Sequence, residues 1–180
     1  MKLLLSHISD PDGITPIILM NLLDEKFDYK LFEAQQLSEF ILNNINADYF
    51  DKYDNIYIVD LGITSECAKI INNSKYKDKF KIFDHHESNI HLNQYEFANV
   101  VEEVNGFKEC GTSLFYQYLI NNFNNEILTK ESVITFVELA AMLDAMNINL
   151  EECPDKALGN AAFYGRIFAR SGGVTEAVRN

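Results

Sequence analysis

Residues 55–87 read NIYIVDLGITSECAKIINNSKYKDKFKIFDHHE, and this stretch decides the fold. Asn55 to Asp60 is a run of β-branched and aromatic residues, the composition of a strand, and it stops on an acid. Thr64 or Ser65 can cap a helix through Asn72, with Glu66 in the first turn, where the helix dipole favours an acid. Residues 79–84 (KFKIFD) form a second strand that again ends on an acid, Asp84, followed by His85-His86-Glu87. Strand, helix, strand is one βαβ unit, and such units build parallel sheets with right-handed crossovers.

The same alternation extends in both directions. Lys2 to Ser6 is a strand, residues 14–24 a helix with Pro16 tolerated in its first turn, and residues 28–33 a second strand. A helix over 37–46 leads into the quoted stretch. Beyond it, residues 97–102 give a fifth strand, and helices are expected over 112–123 and 131–146. The expected architecture is α/β: a parallel sheet of about five strands flanked by helices, ending in a helical C-terminal segment. The last 30 residues differ in composition. Arg166, Arg170 and Arg179, the only arginines, all fall there, and small residues become frequent. A helix over 156–170, broken by Ser171-Gly172-Gly173, is expected. The boundary near residue 150 separates a domain at 1–150 from a terminal segment at 151–180.

A chain of 180 residues makes about one domain and can bury about 70% of its unfolded surface. With 47% hydrophobic and 23% charged residues it reads as globular. No apolar run approaches a membrane span, and the start meets Asp10 too soon for a signal peptide. The expectation is a soluble, cytoplasmic protein. Acids outnumber bases by 27 to 15, a net charge of −12, which argues against gripping long duplex nucleic acid by charge. Cys67, Cys110 and Cys153 are odd in number and form no CxxC, so buried thiols are expected.

Chemistry collects after the strands. The first is followed by His7-Ile8-Ser9-Asp10-Pro11-Asp12-Gly13, the third by Asp60-Leu61-Gly62 and the fourth by Asp84-His85-His86. Asp144 stands on the apolar helix Leu139–Met146. In a parallel sheet these residues converge at the carboxyl edge, where ligands bind. So many carboxylates repel one another, and divalent metals remove the conflict. Oxygen and imidazole ligands suit Mn²⁺, with zinc, iron or cobalt as competitors. Cys110-Gly111-Thr112-Ser113 opens a helix, and the backbone N–H groups of Gly111 and Thr112 can either bind a phosphate or form a plain helix cap. His91 and Glu87 read as surface groups. Asp48, Asp51 and Asp54 read as a solvated loop, and Tyr49, Tyr53 and Tyr57 as packing residues.

In this order His7…Asp10-Pro11-Asp12, Asp60, Asp84-His85-His86 and Asp144 resemble the four motifs of the DHH phosphoesterase superfamily, over about residues 1–150. The chain resembles the N-terminal catalytic domain of its nanoRNase and RecJ-type members. The superfamily also holds phosphodiesterases of cyclic dinucleotides and family II inorganic pyrophosphatases. The resemblance implies a metal-dependent phosphoesterase that hydrolyses small nucleotide phosphodiesters or short single-stranded oligoribonucleotides with a hydroxide held between two ions. It implies two Mn²⁺ per chain, with Mg²⁺, Co²⁺, Fe²⁺ or Zn²⁺ as substitutes. His7 and Asp10 would hold one ion, Asp12, His85 and Asp144 the other, and Asp60 would bridge them. His86 would face the substrate phosphate and Asp84 would orient a ligand imidazole or the backbone. A homodimer is compatible with this reading, and a membrane partner is not expected.

Two features depart from the family pattern. The spacing His7-x-x-Asp10-x-Asp12 lies between those of its branches. The family's C-terminal domain carries a Gly-rich segment followed by His, and Ser171-Gly172-Gly173-Val174 has none. The terminal segment would then be the start of a linker to a missing substrate-binding domain. Alternative readings are a pyrophosphatase of the same superfamily, or a nucleotide- or metal-binding domain inactive without its partner domain. Asp10-Pro11-Asp12-Gly13 also superficially resembles the nucleophile loop of haloacid-dehalogenase-type phosphatases. That loop needs its Asp directly after the strand, and it leaves Asp84-His85-His86 unexplained.

Overall fold

The computed structural model describes residues 1–146 apart from Ser9 and Asp24. Five parallel strands, β1 (Lys2–His7), β2 (Phe27–Phe32), β3 (Asn55–Val59), β4 (Phe80–Asp84) and β5 (Ala98–Val100), form one sheet in the order β2-β1-β3-β4-β5. Among the described residues five α-helices accompany them: α1 (Pro11–Leu22), α2 (Ala34–Asn44), α3 (Ser65–Asn72), α4 (Gly111–Asn122) and α5 (Glu131–Ala145). The expected parallel α/β sheet is the one observed.

Alternation along each strand makes two cores. Leu3, Leu5, Ile56, Ile58 and Ile82 face α2 and α3, where Leu37, Ile41, Cys67 and Ile71 close one buried cluster. Leu4, Tyr57, Val59 and Phe83 face the opposite way and meet Leu19 and Met20 of α1, Leu114 and Phe115 of α4 and Val133 and Val137 of α5. The chain steps from β1 to β2 in one direction, then crosses back to β3 on the other side of β1. This reversal places α1 on the face opposite α2 and α3, as a constant crossover hand requires. It also makes the space above β1 and β3 the switch point of the sheet, where the loops diverge and a ligand site opens.

Several boundaries differ from the sequence expectations. Helix α1 begins at Pro11, three residues earlier than expected. Pro11-Asp12-Gly13 reads as a turn, but proline suits the first helical position, and Asp10 caps the helix by accepting from the Gly13 N–H at 2.8 Å. β5 is shorter than 97–102 because the chain leaves the sheet for a hairpin, β6 (Glu103–Val104) and β7 (Phe107–Lys108). Its turn is Asn105-Gly106, both at positive φ. A 3-10 segment, Glu87–Gln94, fills the β4–β5 connection. Tyr53 and Tyr57 are buried, as are Cys67 and Cys110. Asp48 and Asp51 bind Lys75 rather than water alone. The helix expected over 156–170, the terminal segment 151–180 and Cys153 lie outside the described residues. Among the described residues no helix is long and apolar enough to cross a membrane.

Gly13 marks where α1 presses on the end of β1. A Cβ built there would lie 2.2 Å from the His7 carbonyl oxygen, a backbone atom that cannot swing away. Gly13→Ala is therefore expected to lower stability by about 1–3 kcal/mol, read as a reduced midpoint in urea denaturation. An unchanged midpoint would contradict this packing.

Candidate metal centre

Register brings the site together before any side chain acts. Ser6 pairs with Val59 and Val59 pairs with Phe83 across β1, β3 and β4. The next residue on each strand, His7, Asp60 and Asp84, therefore stands in one row at the carboxyl edge. Asp60 sits at the head of β3 with φ of 58°, a left-handed conformation that Asp tolerates better than most residues. Its N–H donates to the Phe83 carbonyl at 2.9 Å. Gly111 packs so closely on it that a Cβ would lie 2.7 Å from the Asp60 nitrogen.

Three groups of potential ligating atoms form around this row. His7, Asp10 and Asp60 make one cluster and Asp12, His85 and Asp144 a second, while Asp60, Asp84, His85 and His86 make a third; within each, all the ligating atoms lie within 4.8 Å of one another. His7 Nδ1 is 2.8 Å from Asp10 Oδ2 and 3.4 Å from Asp60 Oδ2. His85 Nε2 is 3.3 Å from Asp60 Oδ1, 3.7 Å from Asp12 Oδ2 and 3.9 Å from Asp144 Oδ2. Asp60 thus turns one oxygen to each of the first two clusters. Asp60 Oδ2 and His85 Nε2 are buried, and neither has a hydrogen bond of ordinary geometry. Atoms that share an ion at about 2.1 Å stand about 3.0–3.5 Å apart around it, and these spacings are close to that. Residues of this type and arrangement fit a pair of divalent cations.

The supporting contacts differ between the residues. Asp12 is fully buried in the first turn of α1 and accepts from the N–H groups of Gly111 and Thr112, each at 2.7 Å. Thr112 Oγ1 returns a bond to the Asp12 carbonyl at 2.7 Å. The expectation that these two N–H groups bind a substrate phosphate is corrected here: they are already donated to Asp12, and Cys110 caps α4. Asp84 is fully buried; it accepts from Asn89 Nδ2 at 2.6 Å, and its Oδ1 lies 2.7 Å from His86 Nδ1. It orients His86 by side chain. His86 is half-exposed, with its ring 4.3 Å from that of His85. Glu33 caps α2, and its Oε2 lies 4.0 Å from His7 Nε2. The sequence reading missed it, although it stands directly after β2, the edge strand that pairs with β1.

Burial raises the Asp60 carboxyl to about 7, helped by Asp12 and Asp10 and opposed by the neighbouring imidazoles of His7 and His85. The hydrogen bond to Asp10 and the nearby Asp60 carboxylate hold His7 up near 10 against the effect of burial. Burial alone would lower His85, but Asp60, Asp12 and Asp144 together raise it to about 9. The bond to Asp84 raises His86. Asp84 is itself lowered: burial would raise it, and His86 and Asn89 more than offset that. Burial raises Asp144 against the pull of His85.

Fold and site define an α/β domain with a carboxylate–imidazole centre at the switch point of a parallel sheet. The chain belongs to the DHH family: the family model for its N-terminal domain matches residues 3–144. It is 35% identical over 92 residues to the oligoribonuclease NrnB of Bacillus subtilis (strain 168), a match covering 45% of this chain and 23% of that protein. The fold is shared with a crystal structure of an uncharacterized protein from Helicobacter pylori G27, at a TM-score of 0.63 and 17% identity, over 93% of this chain and 47% of the other. The chain thus spans about half of that structure and about a quarter of NrnB. A second model, for the C-terminal domain of the iron only hydrogenase large subunit, matches residues 121–180. That stretch holds a single cysteine, Cys153, too few for the thiolates of an iron–sulfur cluster.

These shifts have a definite sign. His7, His85 and His86 are raised above 6.5, so the stability they contribute is full below pH 6.5 and is lost as pH rises through the folded values, up to about 10. The raised Asp60 acts in the same direction. A chelator-treated sample is expected to show a falling Tm from pH 6.5 to 10 by circular dichroism, and a flat or rising Tm would contradict it.

Proposed function

We propose that this chain is a divalent-metal-dependent phosphoesterase acting on small nucleotide phosphodiesters or short single-stranded oligoribonucleotides. The observation that carries the reading is the position of Asp60, buried at 2% exposure between two ligand clusters with one oxygen turned to each. Membership of the DHH family and the similarity to an oligoribonuclease support it. His7, Asp10 and Asp60 would hold one ion, and Asp60, Asp12, His85 and Asp144 the other, with Mn²⁺ the best match to mixed oxygen and imidazole ligands. Bound there, two ions neutralise charge that builds up on the phosphoryl oxygens and acidify the attacking water.

The chain's own groups supply the rest. Asp12 is rigid because the first turn of α4 donates to both of its oxygens. Each carboxylate oxygen has two lone pairs, so Oδ2 keeps one for an ion. Asp84 accepts from His86 Nδ1 and raises its pKa, which favours a proton on His86 Nε2. His86 is half-exposed and borders the open cleft beside Asp60, so that proton can pass to the leaving oxygen of a substrate. The acidic surface disfavours long duplexes, which need many phosphates neutralised at once. A cytoplasmic location suits such a substrate.

His86→Ala is expected to lower kcat on a short oligoribonucleotide by about 10²–10⁴-fold while Mn²⁺ stoichiometry stays at the wild-type value. Loss of the ions in this variant would show that His86 is a ligand and not a proton donor. Asp84→Asn removes the group that raises the His86 pKa. The high-pH limb of its pH–rate profile is expected to move to lower pH, and an unmoved limb would contradict the role given to Asp84.

A further inference from the structure

The sheet has two edges, and they are finished differently. At β5 the backbone that faces away from β4 is already occupied. Asn93 Nδ2 donates to the Val100 carbonyl at 2.7 Å and Asn93 Oδ1 accepts from the Val100 N–H at 2.8 Å, so one side chain takes the place of a neighbouring strand. The Ala98 N–H donates to the Tyr95 carbonyl at 3.1 Å. The other edge is β2, which pairs with β1 alone. Among the described residues no strand covers its outer side, and it carries neither the proline nor the bulge that commonly blunts an edge.

Register decides what that outer side offers. The Lys2 N–H donates to the Lys26 carbonyl and the Ile8 N–H to the Phe32 carbonyl. In a parallel ladder the even-numbered residues of β2 therefore turn their backbone toward β1. Phe27, Tyr29 and Leu31 turn both N–H and C=O outward. Their side chains share one face of the sheet, and those of Asp28 and Lys30 share the other. Tyr29 is 54% exposed. Asp28 accepts from the Tyr53 hydroxyl at 2.7 Å and from Lys52 Nζ at 3.0 Å, both at Oδ2, which leaves Oδ1 for a further donor.

This edge is complementary to itself. We propose that β2 is the contact between two copies of this chain, paired antiparallel about a two-fold axis at Tyr29, so that two sheets run on as one. In that register Tyr29 meets its own counterpart and Phe27 meets Leu31, as hydrogen-bonded pairs that satisfy the outward N–H and C=O of all three. Asp28 of each copy faces Lys30 of the other in the closer, non-hydrogen-bonded pairs, where side chains interact most. Neighbouring registers fail. Sliding one strand by two residues sets Asp28 against Asp28 or Lys30 against Lys30, and like charges directly opposite are destabilising. Sliding by one sets outward-facing backbone against inward-facing backbone. Backbone phase and charge order thus select the same register, and a copy of this strand supplies both at once. The carboxyl edges of the two sheets then point in opposite directions, so each Asp60 centre stays open. The proposal is independent of the reaction assigned to that centre.

The test is sedimentation equilibrium of the full chain, with circular dichroism as the check on folding. The wild type is expected to show twice the mass of one chain at about 100 μM, which saturates contacts of micromolar affinity. Tyr29→Pro removes an outward N–H and no bond to β1, so this variant should be folded and monomeric. Lys30→Asp sets acid against acid and should raise the dimer dissociation constant at least about tenfold. Asp28→Lys should do the same with lysines. An equimolar mixture of these two charge variants should recover a dimer, because each acid then meets a lysine. Mn²⁺ stoichiometry should match the wild type throughout. A monomeric wild type, or a dimer that persists in both Tyr29→Pro and Lys30→Asp, would overturn the proposal. Should Tyr29→Pro fail to fold, the mixture decides alone, and its remaining monomeric would contradict the pairing.

Discussion

A carboxylate at 2% exposure on the central strand of a sheet has to be compensated, and the arrangement of this molecule follows from how Asp60 is compensated. The backbone lifts it into a left-handed conformation beyond Val59 and anchors its N–H on β4. From there its two oxygens reach His7 on one side and His85 on the other, at 3.4 and 3.3 Å. Those distances are long for hydrogen bonds. Protons raised onto the imidazoles balance its charge only in part, and its own carboxyl is pushed up to about 7. A shared pair of divalent ions would satisfy every one of these groups at once, and so the metal-centre reading is preferred to a plain ion-pair network.

Much of the surrounding architecture keeps other backbone close to Asp60 without crowding it. Gly111 and Gly13 are the two points of contact: one lets α4 lie against Asp60, the other lets α1 lie against His7. Asp12 then ties α1 to α4 through a pair of charge-assisted bonds between residues about 100 apart in sequence. The helices of one face are thereby locked to one another at the site, and not only through their apolar sides. Asp84 and Asn89 do the same for His86 from the opposite side of the sheet edge.

The strands and the gathering of His7, Asp10, Asp12, Asp60, His85 and Asp144 were legible because burial on both faces writes β1, β3 and β4 as short apolar runs, each with a polar residue at its end. Their convergence followed from the parallel topology alone. Other features were less visible for identifiable reasons. Asp10-Pro11-Asp12-Gly13 has the composition of a turn, and only the Asp10 cap shows that it opens a helix. The Gly111 and Thr112 N–H groups look free in sequence because their acceptor, Asp12, is brought to them by the tertiary fold. Asn105-Gly106 was a readable hairpin signal, but strands of two residues carry no periodicity to accompany it.

The most direct test of this account is the number of Mn²⁺ ions bound by the full chain after chelator treatment, measured by calorimetry beside Asp60→Asn. The account requires two ions per chain in the wild type and the loss or marked weakening of both in the variant, because one residue faces both clusters. A folded wild type that binds no Mn²⁺ specifically, or a variant that binds two ions as tightly as the wild type, would contradict it.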